Sequence, residues 1–224
     1  MKLSVIIPCY NEGPRIVRLL DAVMAVDVAK QVIVVDDGST DDTAELLRSY
    51  HGGPITIHRM DRNSGKGAAI RAAIPYVAGD IVIIQDADME YDPRQYPDML
   101  KPFASPDTQV VYGSRFLGSI SGMRFANRMG NYLLTWATNV LFRAKLTDEA
   151  TCYKAFRADL IKSLPLKCMG FEFCPEVTAR ILKRGIRITE IPIRYEGRGV
   201  SEGKKVRWTD AIVALWTLMK YRFS

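Results

Sequence analysis

The first half of the chain contains five short apolar runs rich in β-branched residues, and their spacing constrains the fold more than any other feature. The runs occupy residues 3–7, 32–35, 55–57, 81–84 and 110–112. Each run is nearly continuous and does not alternate with polar residues, which is the pattern of strands covered on both faces. We therefore predict five strands with both faces buried.

Segments with helical spacing lie between these strands. One follows Pro14, a second follows the capping residues 39–42, and a third covers residues 68–77. Downstream, residues 124–142, 171–183 and 209–221 have helical patterns, and residues 186–195 have a strand pattern. Because strands and helices alternate, we predict an α/β fold with a mostly parallel central sheet flanked by helices.

The composition restricts the classes of partner and location. At 224 residues the chain suits a single domain over residues 1–224, and its net charge of +6 favours anionic partners such as phosphates or acidic lipid. No nucleic-acid-binding signature is present, so we expect no nucleic acid partner. The charge-free stretch 129–142 falls short of the roughly 18 residues that span a bilayer, and four irregularly spaced cysteines suit free thiols, so we expect a cytoplasmic protein.

Acidic residues follow two of the predicted strands. Asp36 and Asp37 end the second run, and Asp86 and Asp88 follow the fourth. Parallel sheets bind ligands beyond the carboxyl ends of their strands, and an Asp-x-Asp turn can offer carboxylate oxygens to a hard divalent cation. Glu90 can supply another oxygen from the same turn. The alternative is that such acids only cap the next helix or lie exposed in a loop.

Several segments occur together in one order along the chain: VIIPCYNE at 5–12, VVDDGSTD at 34–41, NSGKG at 63–67, DAD at 86–88 and GSRF at 113–116. Together they resemble the family-two inverting glycosyltransferases. The resemblance is greatest to the branch that contains dolichol-phosphate mannose synthase and bacterial polyprenyl-phosphate glycosyltransferases. It is strong over residues 3–116 and looser to about residue 210.

The resemblance implies a GT-A fold in which residues 1–116 bind a nucleotide sugar and a metal. Residues 117–224 then form the acceptor side with an amphipathic C-terminal helix. It also implies a set of ligand-binding positions. The expected metal ligands for Mg²⁺ or Mn²⁺ are Asp88 and Glu90, with Asp86 as a further candidate. The expected nucleotide-sugar residues are Pro8, Tyr10, Glu12, Val35, Asp37, Lys66, Asp86, Ala87, Asp88 and Lys204.

Two basic positions on the donor side have alternative interpretations. Residues 63–67 lack the GxxxxGK[ST] spacing of a phosphate loop, and their glycines suit a strand end and helix start. In the family the corresponding turn lies beside the donor, so Lys66 is a candidate phosphate or ribose contact. Lys204 lies in a basic loop, residues 198–205, that closes over the diphosphate in related enzymes; the alternative is a surface linker.

The acceptor side has its own candidates. Arg115 directly follows the fifth strand, and a guanidinium there suits bidentate phosphate binding. Arg128 lies downstream on a predicted helix and is the second acceptor-phosphate candidate. A hydroxyl acceptor requires a general base, for which Asp148 or Glu149 is the candidate. A lipid phosphate is already anionic and needs none. The expected catalytic residues are therefore Asp88, Arg115, Asp148 and Glu149.

We expect inverting, metal-dependent transfer from a UDP- or GDP-sugar to a polyprenyl phosphate, of the dolichyl or undecaprenyl type. Transfer to a sugar or other hydroxyl is the alternative, and a non-catalytic nucleotide-binding protein is the third possibility. The last helix has an apolar stripe made of Ile212, Leu215, Trp216 and Met219, which suits a core-facing helix or a membrane surface. We favour the core, and otherwise expect peripheral contact with the cytoplasmic face of a membrane or with a membrane-protein partner.

Overall fold

The computed structural model describes residues 1–197 and 208–223, with side chains from residue 210 in the second range. Seven strands occur in it: β1 Leu3–Cys9, β2 Lys30–Asp36, β3 Thr56–Arg59, β4 Ile81–Ile84, β5 Val110–Ser121, β6 Lys154–Arg157 and β7 Ile188–Glu196. The α-helices are α1 Gly13–Ala25, α2 Thr43–Arg48, α3 Lys66–Ala73, α4 Tyr96–Leu100, α5 Phe125–Phe142, α6 Ala158–Ser163, α7 Phe173–Lys183 and α8 Trp208–Phe223.

All seven strands form one sheet in the order β3-β2-β1-β4-β6-β5-β7. The pairs β1 with β2, β1 with β4, β2 with β3 and β5 with β7 are parallel. Only β6 runs against its neighbours β4 and β5 within the described sheet. The α/β fold with a mostly parallel sheet is therefore confirmed, and the sheet extends from residue 3 to residue 196 across both halves of the chain.

Both faces of the sheet are covered by helices, which explains why the strand sequences are nearly continuous in apolar residues. In β1, Leu3, Val5 and Ile7 pack into one core cluster, which α1 also joins, while Ile6 faces a second cluster on the other side. The second cluster contains side chains of α3, α6 and α7. Two cores, one on each face, therefore hold the carboxyl ends of the strands in place.

Two sequence expectations need correction here, and one strand was missed. The strand near residue 57 is the edge strand β3, and Ile57 is 37% exposed, so this strand is not covered on both faces. The helix expected over 68–77 ends at Ala73 and continues as a 3-10 turn, Ile74–Tyr76, because Pro75 cannot donate the next helical hydrogen bond. Strand β6, with its charged ends Lys154 and Arg157, was not predicted.

The apolar stripe of α8 does not face the core, contrary to our expectation. Ile212, Trp216 and Met219 are exposed, whereas Leu218 and Tyr221 are buried against α7 and α5. The helix is rotated so that the smaller part of its apolar surface is covered. Among the described residues, no helix has the length and hydropathy needed to cross a membrane.

Candidate functional site

Asp37 lies just beyond the carboxyl end of β2 and fixes the loop that leads into α3. Its carboxylate accepts hydrogen bonds from the backbone amides of Ser64 and Gly65, each at 2.8 Å. Burial raises the pKa of Asp37, and these two bonds counter part of that rise. Gly38, with a φ of 71°, lies so close to the backbone of Arg62 that a Cβ there would be 2.6 Å from it. The β2 end and this loop therefore form one rigid unit.

Asp36 supports the same unit from inside the sheet. It is buried, accepts the amide of Ser39 at 2.9 Å, and lies 3.4 Å from Nη1 of Arg59. An open cleft of about 280 Å³ adjoins this loop, and its lining residues are Arg59, Met60, Asp61, Arg62 and Ser64. The predicted acids of β2 thus lie beside a cationic cleft at the end of the sheet.

Backbone amides in the first turn of α3 are already hydrogen-bonded to another segment of the chain. The amides of Gly67 and Ala68 donate to the carbonyls of Gly170 and Met169 at 3.2 and 2.9 Å. A Cβ at Gly65, where φ is 99°, would lie 2.5 Å from the Met169 carbonyl oxygen. These amides, which in a phosphate loop would bind the ligand, bind residues 169–170 instead. The glycines of the segment therefore serve a close backbone approach.

Lys66 and Asp86 form an ion pair between the start of α3 and the end of β4. Both side chains are largely buried. Burial alone would lower the pKa of the Lys66 ammonium, but the Asp86 carboxylate holds it well above its usual value. Asp86 is therefore paired with a cation of the chain, whereas Asp88 accepts a backbone amide within its own turn. Ala87, between them, packs into the core.

The turn that follows β4 carries Asp88 and Glu90. Oδ1 of Asp88 accepts the backbone amide of Glu90 at 3.1 Å, and Met89 between them has a φ of 63°, a left-handed conformation that is rare for residues other than glycine. Strain of this kind is found at functional turns. Oε2 of Glu90 accepts the hydroxyl of Tyr195 at 2.6 Å. The turn is thus held by a residue of β7, the edge strand that lies beyond β6 and β5 in the sheet.

Arg115 lies within β5 and not directly after it, contrary to our expectation, because the strand continues to Ser121; its side chain pairs with Asp148. Its Nε and Nη2 donate to Oδ2 and Oδ1 of Asp148, each at 2.7 Å, and its backbone amide donates to Oδ2 at 3.0 Å. Burial opposes the charge of the guanidinium, but Tyr91 and Asp148 hold its pKa above its usual value. The guanidinium carbon lies 5.2 Å from the ring centroid of Tyr195. Tyr195 therefore contacts both Arg115 and Glu90.

Glu190 of β7 holds the loop that carries Asp148. Its carboxylate accepts the amides of Thr147 and Asp148 at 2.7 and 3.0 Å. Burial raises the pKa of Glu190, although these bonds and the Thr147 hydroxyl lower it in part. Sequence reasoning missed both Glu190 and Tyr195. The strand offered little signal for them, because β7 also contains the polar residues Thr189, Arg194 and Glu196.

Glu149, the second base candidate, is fully buried beneath the site. Burial raises its pKa, and the ammonium of Lys154 opposes that rise. Lys154 is also fully buried, donates to the Glu149 carbonyl at 2.7 Å, and lies 3.5 Å from the ring centroid of Tyr112. Glu149 therefore belongs to the interior of the domain, beside the second core.

The residues expected around the nucleoside lie at the ends of β1 and β2, but not all face outward. Tyr10 is half-buried just after β1, and Glu12 directly precedes α1 and donates its amide to the Thr43 hydroxyl at 3.0 Å. Pro8 is buried inside β1, and Val35 is 0% exposed in the core, so the Val35 side chain is not available to a ligand. Lys204 and its loop lie outside the described residues.

The acceptor-side arginines are linked through aromatic rings. Phe116 follows Arg115 and stacks on Tyr132 of α5, with ring centroids 4.4 Å apart. Arg128, one turn before Tyr132, lies over the same ring at 5.8 Å and is exposed. The structure therefore brings Arg115 and Arg128 to one end of the molecule, with Arg115 buried and Arg128 open to solvent.

Comparison with known proteins identifies this arrangement. Residues 4–164 match the family model described as Glycosyl transferase family 2. The chain belongs to glycosyl transferase family 2. Membership of this family makes it a glycosyltransferase.

Two relatives of this glycosyltransferase have a polyprenyl phosphate in their names, and a third is named as a hexosyltransferase. Undecaprenyl-phosphate mannosyltransferase of Micrococcus luteus is 30% identical and covers 91% of this chain and 87% of its own length. Dodecaprenyl-phosphate galacturonate synthase of Rhizobium johnstonii is 29% identical over 98% of this chain and 67% of its own length. A low-salt glycan biosynthesis hexosyltransferase of Haloferax volcanii is 32% identical, and the chain spans only 55% of its length.

Solved structures show the same fold. Glucosyl-3-phosphoglycerate synthase of Mycobacterium tuberculosis superposes with a TM-score of 0.79 at 21% identity, covering 99% of this chain and 80% of that one. The same enzyme was crystallised with UDP and Mg²⁺, and with UDP, Mn²⁺ and phosphoglyceric acid. The structural neighbours are GT-A glycosyltransferases, so the expected GT-A fold is confirmed.

The donor groups at the β4 turn fit a divalent cation that is shared with a ligand. Asp88 and Glu90 offer carboxylate oxygens from one tight, half-buried turn, which is the ligand chemistry that Mg²⁺ and Mn²⁺ prefer. In the described part of the chain, no cluster of three histidines, cysteines or acids suits a metal by itself. Two protein ligands leave most of the coordination shell to water and to the oxygens of a diphosphate.

Proposed function

We propose that this family member transfers a sugar, with inversion, from a UDP- or GDP-linked donor to a polyprenyl phosphate. The choice of acceptor rests on the burial and pairing of the two acidic residues on the acceptor side. Asp148 is buried and bonded to Arg115 through both oxygens, and Glu149 is fully buried. Neither suits a solvent-facing general base. An acceptor that is already anionic does not need one.

The acceptor phosphate is held by cations in this proposal. Arg128 is exposed, and Arg115 has N–H donors beyond the two that Asp148 accepts. An oxygen of the lipid phosphate attacks the anomeric carbon of the sugar while the bond from that carbon to the nucleoside diphosphate breaks. The nucleoside diphosphate leaves with the electron pair, and the configuration inverts. The names of the relatives support this acceptor class.

The donor is assigned to the ends of β1, β2 and β4. In this proposal Tyr10 and Asp37 bind the nucleoside, and Lys66 binds near the diphosphate. Asp88 and Glu90 would hold the cation, which when bound offsets charge on the leaving diphosphate. The protein positions the two carboxylates: the Tyr195 hydroxyl orients Glu90, and the left-handed turn at Met89 orients Asp88.

The experiment compares acceptors and donors directly. The full chain is incubated with UDP- and GDP-sugars, Mn²⁺, and either undecaprenyl phosphate or undecaprenol in detergent. We expect product only with the phosphate. Asp88→Asn should lower turnover at least about a hundredfold, while Asp98→Asn, an exposed acid on α4, should leave it unchanged. Equal product from the alcohol would overturn the acceptor assignment, and full activity of the Asp88 variant would overturn the metal site.

We also propose that residues 1–224 form a single domain and that the protein works at the cytoplasmic face of a membrane. Support for the first point is the shared sheet, in which β4 from the donor half pairs with β6 from the acceptor half. Support for the second is the lipid-linked substrates named for the relatives.

A further inference from the structure

Helices α5 and α8 expose an unusual amount of large apolar surface. On α5 the exposed side chains are Phe125, Met129, Tyr132, Leu133, Trp136 and Val140. On α8 they are Ile212, Val213, Trp216, Met219 and Phe223. Each is at least 40% exposed. The two helices pack against each other, and Arg222 of α8 lies over the Phe142 ring of α5. We call this surface the α5–α8 face. Contiguous apolar surface of this kind marks an interaction site.

The charges around the α5–α8 face are nearly all positive. Residues 108–147 contain no aspartate or glutamate. Exposed cations in α5 and its flanks are Arg124, Arg128, Arg143 and Lys145, and those on α8 are Lys220 and Arg222. In the described part of α8, Asp210 is the single acid. The face therefore combines apolar side chains with cations at its edges.

The combination of apolar side chains and cations favours one kind of binding partner. A second copy of the chain would bring the cations of two α5–α8 faces together with only Asp210 of each described α8 to oppose them, which disfavours self-association. The surface of an anionic bilayer offers negative headgroups for the cations and an apolar layer for the side chains. Tryptophan and tyrosine favour the headgroup zone, and Trp136, Trp216 and Tyr132 lie on the face. We propose that the α5–α8 face binds the surface of an anionic lipid bilayer.

The face begins beside the acceptor end of the site. Phe116, next to Arg115, stacks on Tyr132 of the face, and Leu117 is 50% exposed. A bilayer on this face lies against the end of the molecule where Arg115 and Arg128 are found. Resting on the proposed function, this explains how a phosphate that cannot leave the membrane reaches the transferase. The binding itself does not depend on which sugar or acceptor is used.

The test is sedimentation of the full chain with vesicles of phosphatidylcholine alone or with added phosphatidylglycerol. We expect binding to the anionic vesicles and little to the neutral ones. Lys220→Gln with Arg222→Gln should weaken binding roughly thirtyfold, and Trp136→Ser with Trp216→Ser should abolish most of it. Tyr76→Ser, an exposed aromatic after α3, is the matched control and should bind like the unaltered chain.

Two outcomes would overturn the proposal. One is that the unaltered chain fails to bind either vesicle. The other is that it forms dimers in solution which the tryptophan variant abolishes, since a second copy would then cover the face. Circular dichroism checks that each variant folds. Turnover of detergent-dispersed acceptor should survive in the tryptophan variant, so that failure of membrane binding and failure of the proposed reaction give different results.

Discussion

The guanidinium of Arg115 and the carboxylate of Asp148 are joined by two side-chain hydrogen bonds of 2.7 Å inside the protein. A pair of this kind orients its members, but it stabilises the fold only while both are present, because either charge alone would be buried without a partner. Its first consequence concerns stability, even though both residues lie at the acceptor end of the site.

Removing one member of this pair should destabilise the fold. We expect Asp148→Asn to lower the free energy of unfolding by about 3–5 kcal/mol, because it leaves the Arg115 cation buried and uncompensated. Urea unfolding followed by circular dichroism measures the change. Asp98→Asn is the control, since its pair with Lys101 is exposed and should contribute less than about 1 kcal/mol. A stable but inactive Asp148 variant would instead assign Asp148 to the chemistry.

Glu190 should be energetically coupled to Asp148 because it holds the same loop. Oε2 and Oε1 of Glu190 accept the amides of Thr147 and Asp148 respectively, so Glu190→Gln replaces one of these two acceptors with a donor and should cost about 1–3 kcal/mol. The double variant with Asp148→Asn should lose less stability than the two single losses together, because each change disrupts the same loop. Strictly additive losses would show that Glu190 acts independently.

The pH dependence of stability should report on Glu149. Its pKa is raised above the ordinary value of 4.5 by burial. Below that ordinary value the carboxyl is protonated in both folded and unfolded states, so it costs nothing. As pH rises through the raised pKa, the folded state must accept a buried charge, and stability falls.

Glu149→Gln should therefore melt at a higher temperature than the unaltered chain near neutral pH, with the difference shrinking toward pH 4. Thermal melts across this range measure it. The same variant should keep transferase activity under the proposed function. Loss of activity without loss of stability would favour Glu149 as a base and a hydroxyl acceptor.

Tyr195→Phe should weaken the metal site without unfolding the protein. The hydroxyl that orients Glu90 is lost, while the ring against Arg115 remains. Outer-shell changes of this kind cost about 10–100-fold in metal affinity. Titration calorimetry of Mn²⁺ in the presence of UDP measures the effect. Tyr153→Phe loses a comparable hydroxyl, bonded to the Asp92 carbonyl, and should bind Mn²⁺ normally; equal affinities for both variants and the unaltered chain would contradict the role of Tyr195.

Much of the fold follows from local sequence, and much of the site does not. The strands β1, β2 and β4 were recognisable because burial on both faces makes them continuously apolar, and Pro14 indicated the start of α1. The pairing of Tyr195 with Glu90 spans 105 residues, and that of Arg115 with Asp148 spans 33. Such contacts depend on which strands become neighbours, and the placement of β6 between β4 and β5 has no local signal.

The orientation of α8 illustrates the same limit. Its apolar stripe has the spacing of a core helix. Periodicity in the sequence cannot distinguish a helix face that packs against protein from one that contacts something outside the domain, such as lipid. The acidic residues were easier to interpret, because their positions after β2 and β4 predicted a ligand site. The ion pair between Asp86 and Lys66 could not be predicted without the fold.

The position of β6 also has a consequence for synthesis of the protein. Strand β4 gains its second neighbour only from residues 154–157, and β5 gains both of its neighbours from chain that follows it. Until residues 154–157 have emerged from the ribosome, the nascent chain presents an open edge at β4 and β5 has no partner strand. The sheet of this glycosyltransferase is therefore complete only after β7 has emerged, and the interval before Glu196 emerges is when chaperone binding would matter most.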